Sequence, residues 1–217
     1  MKKFYPFAIS SLIILSACSK ERITGSGPIV TEKRSFEYFT IVQVSGSTDV
    51  IINQSPTFSV EVRGYANLLP YFETKVVNKA LELHYKNNSN ISNDNVQVIV
   101  NMPVLTAVGT NGSADIQATG NFTGSGGLTA TVTGSGNIFI ERGGVDYLYT
   151  SIAGSGNIQA FGLLAKNAEA HTSGSGNVEL SSSQELYVRI AGSGNVYYRG
   201  NPTVNANISG TGSVIRR

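Results

Sequence analysis

Gly134-Ser135-Gly136-Asn137-Ile138 returns as Gly154-Ser155-Gly156-Asn157-Ile158, Gly174-Ser175-Gly176-Asn177-Val178 and Gly192-Ser193-Gly194-Asn195-Val196. Gly112-Ser113-Ala114-Asp115-Ile116 precedes these copies, and Gly210-Thr211-Gly212-Ser213-Val214 follows them in degraded form. Successive first glycines lie 22, 20, 20, 18 and 18 residues apart. A fixed period of this length signals a solenoid. It is too short for two helices and a turn. It suits one circuit of a parallel β-helix, whose coils stack at about 4.8 Å.

The residues around each glycine corner carry the matching pattern. Two, four and six positions before the first glycine stand Val132, Ala130 and Leu128, then Ile152, Thr150 and Leu148. The next coils place Thr172, Ala170 and Ala168, then Ile190, Val188 and Leu186, and last Ile208, Ala206 and Val204. None of these is charged or an amide. The alternating positions are polar or mixed, which is the signature of strands with one face inward. Ile138, Ile158, Val178, Val196 and Val214 predict a second inward column after the corner. Glycine turns the corner because it accepts positive φ and has no Cβ to strike the next coil. The Asn of each corner is expected to stack on its neighbours in an amide ladder. Gly194→Val is expected to damage folding far more than Gly200→Val.

Residues 1–17 read as a lipoprotein signal peptide. Lys2 and Lys3 lead an apolar stretch of about a dozen residues, short for a membrane span. Leu15-Ser16-Ala17-Cys18 resembles the bacterial lipoprotein signal box, which implies cleavage before Cys18 and lipidation of that residue. Residues 18–35 read as the lipidated Cys and a tether. Cys18 is the one cysteine, so the exported domain has no internal disulfide to rely on. Without Lys2 and Lys3, 14 basic residues balance 14 acidic ones. That balance offers no electrostatic case for nucleic acid as a partner.

Residues 36–217 read as the β-helix domain, with irregular coils over 36–111 and regular coils over 112–217. Gly46-Ser47-Thr48-Asp49-Val50 is a blurred corner, 66 residues before Gly112, a distance equal to three coils of 22. Strands are expected at 58–62, 75–77, 81–85 and 96–101, a short helical or turn excursion at 65–71, and a loop at 87–95. A small α+β cap is the alternative. Opposite the glycine corner, residues 141–146, 161–167, 181–185 and 199–203 read as variable turns, where binding is usually placed.

Gly-Ser-Gly-Asn is no dinucleotide fingerprint, because no helix follows and the motif recurs in every coil. Asp49 and Asp115 take the Asn slot on coils that this spacing makes non-adjacent, too few ligands for calcium. A β-helical glycosidase or lyase needs clustered acids. Glu141, Asp146, Glu169, Glu179 and Glu185 fall in different outward columns. His84 and His171 stand alone and read as surface residues. No catalytic, cofactor or metal residue is expected. Tyr147, Tyr149, Tyr187 and Tyr197 should point outward and form the candidate binding surface, although the Tyr149 column is interrupted by Glu169.

The lipoprotein start, Ile23-Thr24-Gly25-Ser26-Gly27, the stretches 36–50 and 96–103, and the serial corners resemble the "putative autotransporter adhesin, head GIN domain" family over residues 23–217. That resemblance implies a single-stranded right-handed parallel β-helix in the envelope of Bacteroidetes-type bacteria, and an adhesive role. The expected protein is a non-enzymatic outer-membrane lipoprotein, held to the membrane by its lipid and binding a glycan or protein. A β-helical carbohydrate-active enzyme and a purely structural envelope component are the alternatives.

Overall fold

The computed structural model describes residues 22–87, 89–123 and 126–217. The expected signal peptide and Cys18 lie outside them. The described residues are strands and their connections, apart from one 3-10 turn at Leu69–Tyr71.

The corner glycines stack in register. Gly46 pairs with Gly112, which pairs with Gly134, and the column continues through Gly154, Gly174, Gly192 and Gly210. After the corner, Val50, Ile116, Ile138, Ile158, Val178, Val196 and Val214 form the matching column. Every one of these pairings is parallel, so the chain winds as a β-solenoid with five circuits between Gly112 and Gly210. Ile138, Ile158, Val178 and Val196 are each fully buried. Burying a side chain of that size contributes about 1.5–3 kcal/mol. Not every inward position is apolar: the hydroxyls of Thr110 and Thr172 are buried without a hydrogen-bond partner.

The corner is a hydrogen-bonded column in its own right. The carbonyl of Gly134 accepts from the N–H of Ser155 at 2.9 Å and of Gly156 at 3.2 Å. The same pair of bonds joins Gly112 to Ser135 and Gly136, and Gly154 to Ser175 and Gly176. Beside it runs the ladder. Oδ1 of Asn137 accepts the backbone N–H of Asn157 at 3.0 Å and its side-chain amide at 2.9 Å. The motif extends from Asp49 through Asp115, Asn137, Asn157, Asn177 and Asn195 to Ser213.

Gly46 and Gly112 therefore sit on adjacent layers, and the 65 residues between them do not make three coils. Those beyond Gln54 continue both sheets along the solenoid axis, on the side of the Gly46 layer that faces away from Gly112. Ala80–Tyr85 lies parallel to Ile41–Gly46 and turns back as a hairpin onto Phe72–Val77. Gln97–Met102 lies parallel to Asp49–Gln54 and carries Ser59–Tyr65 antiparallel on its far side. This cap is all β, not α+β. The expected tether is also partly strand: Ile29–Arg34 is antiparallel to Ser59–Tyr65, and Arg22–Thr24 is parallel to Asn90–Ser92. Ile29–Arg34 is an edge strand, exposed at every position but Arg34.

Three of the four expected turns opposite the corner, 141–146, 161–167 and 181–185, are extended backbone as well, while 199–203 is a connection between strands ending at Arg199 and starting at Thr203. Ile138–Gly154, Ile158–Gly174 and Val178–Gly192 are each one continuous bent strand. Val145, Leu163, Ala165 and Ser182 fill the interior at the bend. Ser182 satisfies its hydroxyl on the carbonyls of Lys166 and Glu185, at 3.1 and 2.8 Å. In Thr203–Gly210, Val204 and Ile208 occupy inward columns yet are 37% and 43% exposed. Among the described residues, that strand is paired on one side, to Val178–Gly192.

Gly200 differs from its expected tolerance. A Cβ at Gly194 would run into the carbonyl oxygen of Gly176, and one at Gly200 would run equally into that of Ser182. Gly200 also has φ +99°, which disfavours any side chain. Gly194→Val and Gly200→Val should therefore both lower the melting temperature substantially, and a scan showing Gly200→Val melting with wild type would contradict the register. Asn157→Ala strands the part-buried N–H of Asn177 and should cost about 1–3 kcal/mol in urea unfolding. The exposed Asn205→Ala should stay within about 0.5 kcal/mol of wild type.

Candidate functional site

Period-two geometry sends alternate residues of the strand preceding each corner outward. On three stacked coils those residues converge. Tyr149 pairs with Glu169, which pairs with Tyr187, while Ser151 pairs with His171 and His171 with Arg189. Tyr147 lies two positions before Tyr149 on the same face. Its hydroxyl donates to Oε2 of Glu169. Nε2 of His171 meets Oε1 of the same carboxylate at 2.6 Å. The imidazole sits between two phenol rings, with centroids 5.5 Å from Tyr149 and 6.1 Å from Tyr187. Nη2 of Arg189 donates to the Tyr187 hydroxyl at 3.4 Å.

This face unites three of the four expected tyrosines. Tyr197 lies on the other sheet, beyond the corner, where the Arg217 guanidinium covers its ring at 4.7 Å. His171 and Glu169 were not among the expected site residues. Their signal was available: Tyr149 and Ser151, Glu169 and His171, and Tyr187 and Arg189 occupy equivalent positions in successive coils. The side chains of both His171 and Glu169 are about one quarter exposed, at 28% and 27%. His171 is therefore no solitary surface residue. Neither is His84, whose Nδ1 lies 2.9 Å from the carbonyl of Tyr85.

Glu169 organises the electrostatics. The Tyr147 hydroxyl, then His171 and Arg189, hold its carboxyl below the usual carboxylate range. Partial burial and the bond to Glu169 push the Tyr147 phenol up to about 12. A single carboxylate tied to a phenol and an imidazole does not make the carboxylate pair of glycoside hydrolysis. The face offers aromatic surfaces, one anion and one exposed guanidinium on a rigid sheet, which suits binding by stacking and hydrogen bonding.

On the other sheet, an open cleft of about 530 Å³ crosses several coils beside the ladder. Asp49, Asp115, Gln97, Gln117, Phe139 and Gln159 line it. Asp49 and Asp115 are on adjacent layers, contrary to the expected spacing, because the cap strand Gln97–Met102 pairs on the other side of the Asp49 strand. Their Oδ1 atoms accept ladder bonds from Asp115 and Asn137. Among the described residues, no three His, Cys, Asp or Glu side chains group as a metal site.

The tyrosine face yields a titration. One phenol should ionise near pH 12 in ultraviolet titration, and Glu169→Gln should return it toward ordinary tyrosine behaviour. Because its folded pKa exceeds the unfolded value of 10.0, this group's stabilisation is complete below about pH 10 and fades as pH rises through about 12. Identical titrations of wild type and Glu169→Gln would refute the bond.

The family described as "Putative auto-transporter adhesin, head GIN domain" matches residues 38–202. No curated protein matches the sequence. Among solved structures, a putative adhesin from Bacteroides fragilis NCTC 9343 superposes with TM-score 0.75 at 18% identity, covering 90% of this chain and 100% of that one. A putative adhesin from Parabacteroides distasonis ATCC 8503 gives 0.56 at 24% identity, with 91% and 100% covered. A protein from the same organism, described as a putative lipid binding protein, gives 0.55 at 22% identity, also with 91% and 100% covered. These likenesses show a shared fold. With that model matched across most of its length, the chain belongs to the family described as "Putative auto-transporter adhesin, head GIN domain".

Proposed function

We propose that this protein is a non-enzymatic binding protein of the bacterial cell envelope, anchored in the outer membrane by lipid on Cys18, which presents the Tyr147, Tyr149 and Tyr187 face to a glycan or protein. One observation carries the reading. Three tyrosines, a histidine and an arginine from three successive coils are fixed on one face of a rigid sheet through the Glu169 carboxylate and ring contacts. Groups already held in place lose little conformational freedom on binding. Membership of an adhesin family supports the envelope location, and the Leu15 to Cys18 box supports the lipid.

Fractionated cells and an array of glycans and matrix proteins test this together. Wild-type protein should stay with the membranes and capture a ligand. Cys18→Ser should move the protein and its binding to the soluble fraction. Tyr149→Ala with Tyr187→Ala should keep the protein in the membranes and weaken capture by about tenfold or more, a loss of about 1.4 kcal/mol. Undiminished capture by the double variant would overturn the tyrosine face, and membrane retention of Cys18→Ser would overturn the anchor.

A further inference from the structure

The outward column after the corner is distinct from the tyrosine face. It runs Ile51, Gln117, Phe139, Gln159, Glu179, Tyr197, one residue per coil along the solenoid axis. Its first four members line the open cleft together with Asp49, Asp115 and Gln97. Gln117 and Gln159 are exposed, and so is the ring of Phe139 at 38%. Phe139 thus stands between two amides, with two carboxylates at one end of the cleft. Among the described residues, no Lys or Arg lines it.

These groups select a chemistry. Amides and carboxylates both engage hydroxyls, the amide as donor and acceptor and the carboxylate as acceptor. An exposed aromatic ring gives an apolar platform for the C–H face of a pyranose. The two carboxylates, without a lining cation, repel a polyanion. Spacing adds a further constraint. Coils repeat at about 4.8 Å, close to the length of one sugar unit in an extended chain. A linear polymer lying along the axis would offer a fresh unit to each coil.

We infer that this cleft binds an uncharged linear glycan along the solenoid axis, with Phe139 stacking on one sugar and Gln117 and Gln159 holding the hydroxyls of the units on either side. The inference rests on the binding role proposed above and assigns a second face, with its own ligand class.

The test uses full-length purified protein in detergent. Neutral cello-, xylo-, manno- and chito-oligosaccharides of two to six units are titrated calorimetrically, with polygalacturonate as the anionic probe. At least one neutral series should bind, with affinity rising with length up to about four units, since the cleft crosses the coils of Asp49, Asp115, Asn137 and Gln159. Phe139→Ala should weaken binding by about tenfold, and Gln159→Ala should weaken it less. Both residues face solvent, so unchanged melting curves would locate the loss in the cleft. Tyr149→Ala with Tyr187→Ala should leave this affinity unaltered. Preference for polygalacturonate, or binding lost in the tyrosine variant but kept in Phe139→Ala, would overturn the inference and leave the envelope role standing. Silence of every neutral series, with array capture through the tyrosine face intact, would do the same. Silence in both experiments would overturn both readings.

Discussion

A single carbonyl oxygen at each corner governs this molecule. It belongs to the first glycine and is held by two N–H groups of the coil above, as Gly134 is held by Ser155 and Gly156. That contact draws the backbones so close that a Cβ on the upper coil would occupy the oxygen's place. From the Gly134 corner onward glycine serves twice, once for its positive φ, as at Gly192 with φ +136°, and once for clearance from the coil below, as at Gly194, whereas the two earlier corners carry Thr48 and Ala114 at the second position. With the corner so tightly specified, successive coils cannot slip in register. Everything else, the buried columns and the exposed faces alike, inherits its alignment from there.

That dependence explains what could be read from the chain alone. The corners have a rigid composition, and period-two alternation names their inward neighbours, so Leu148, Thr150 and Ile152 were assignable to the core, and all are buried. The cap was harder to place. A length of three periods between Gly46 and Gly112 suggested three coils. Strand alternation looks alike whether a strand continues a spiral or folds back as a hairpin. The bend at Val145 and Leu163 was also hidden, because an outward bulge shifts the parity that such counting relies on.

The candidate site was half legible for a related reason. Columns run between coils, so Tyr149 and Tyr187 emerged from vertical alignment. Glu169 looked like an interruption of that column. In the folded protein it joins the tyrosine and histidine side chains, since its two oxygens reach Tyr147 and His171. Tyr197 shows the converse: equal aromatic character, but on the far side of a corner that redirects the chain. The two faces differ in charge as well as position. Arg189 stands on one, and Asp49 and Asp115 on the other, so one scaffold can offer two unlike surfaces.

The Asn ladder also gives the solenoid an electrical direction. Each side-chain amide points its N–H toward the preceding coil and receives from the following one, from Asn137 to Asn195. The aligned amide dipoles add, as peptide dipoles do in a helix. Their positive pole faces the early coils, where Asp115 and Asp49 replace Asn. Their negative pole faces the last coil, whose final strand, Val214–Arg216, carries Arg216 and leads into Arg217. Formal charge at both poles therefore has the sign that opposes the column's own polarity, the arrangement that favours acids at a helix N-terminus and bases at its C-terminus.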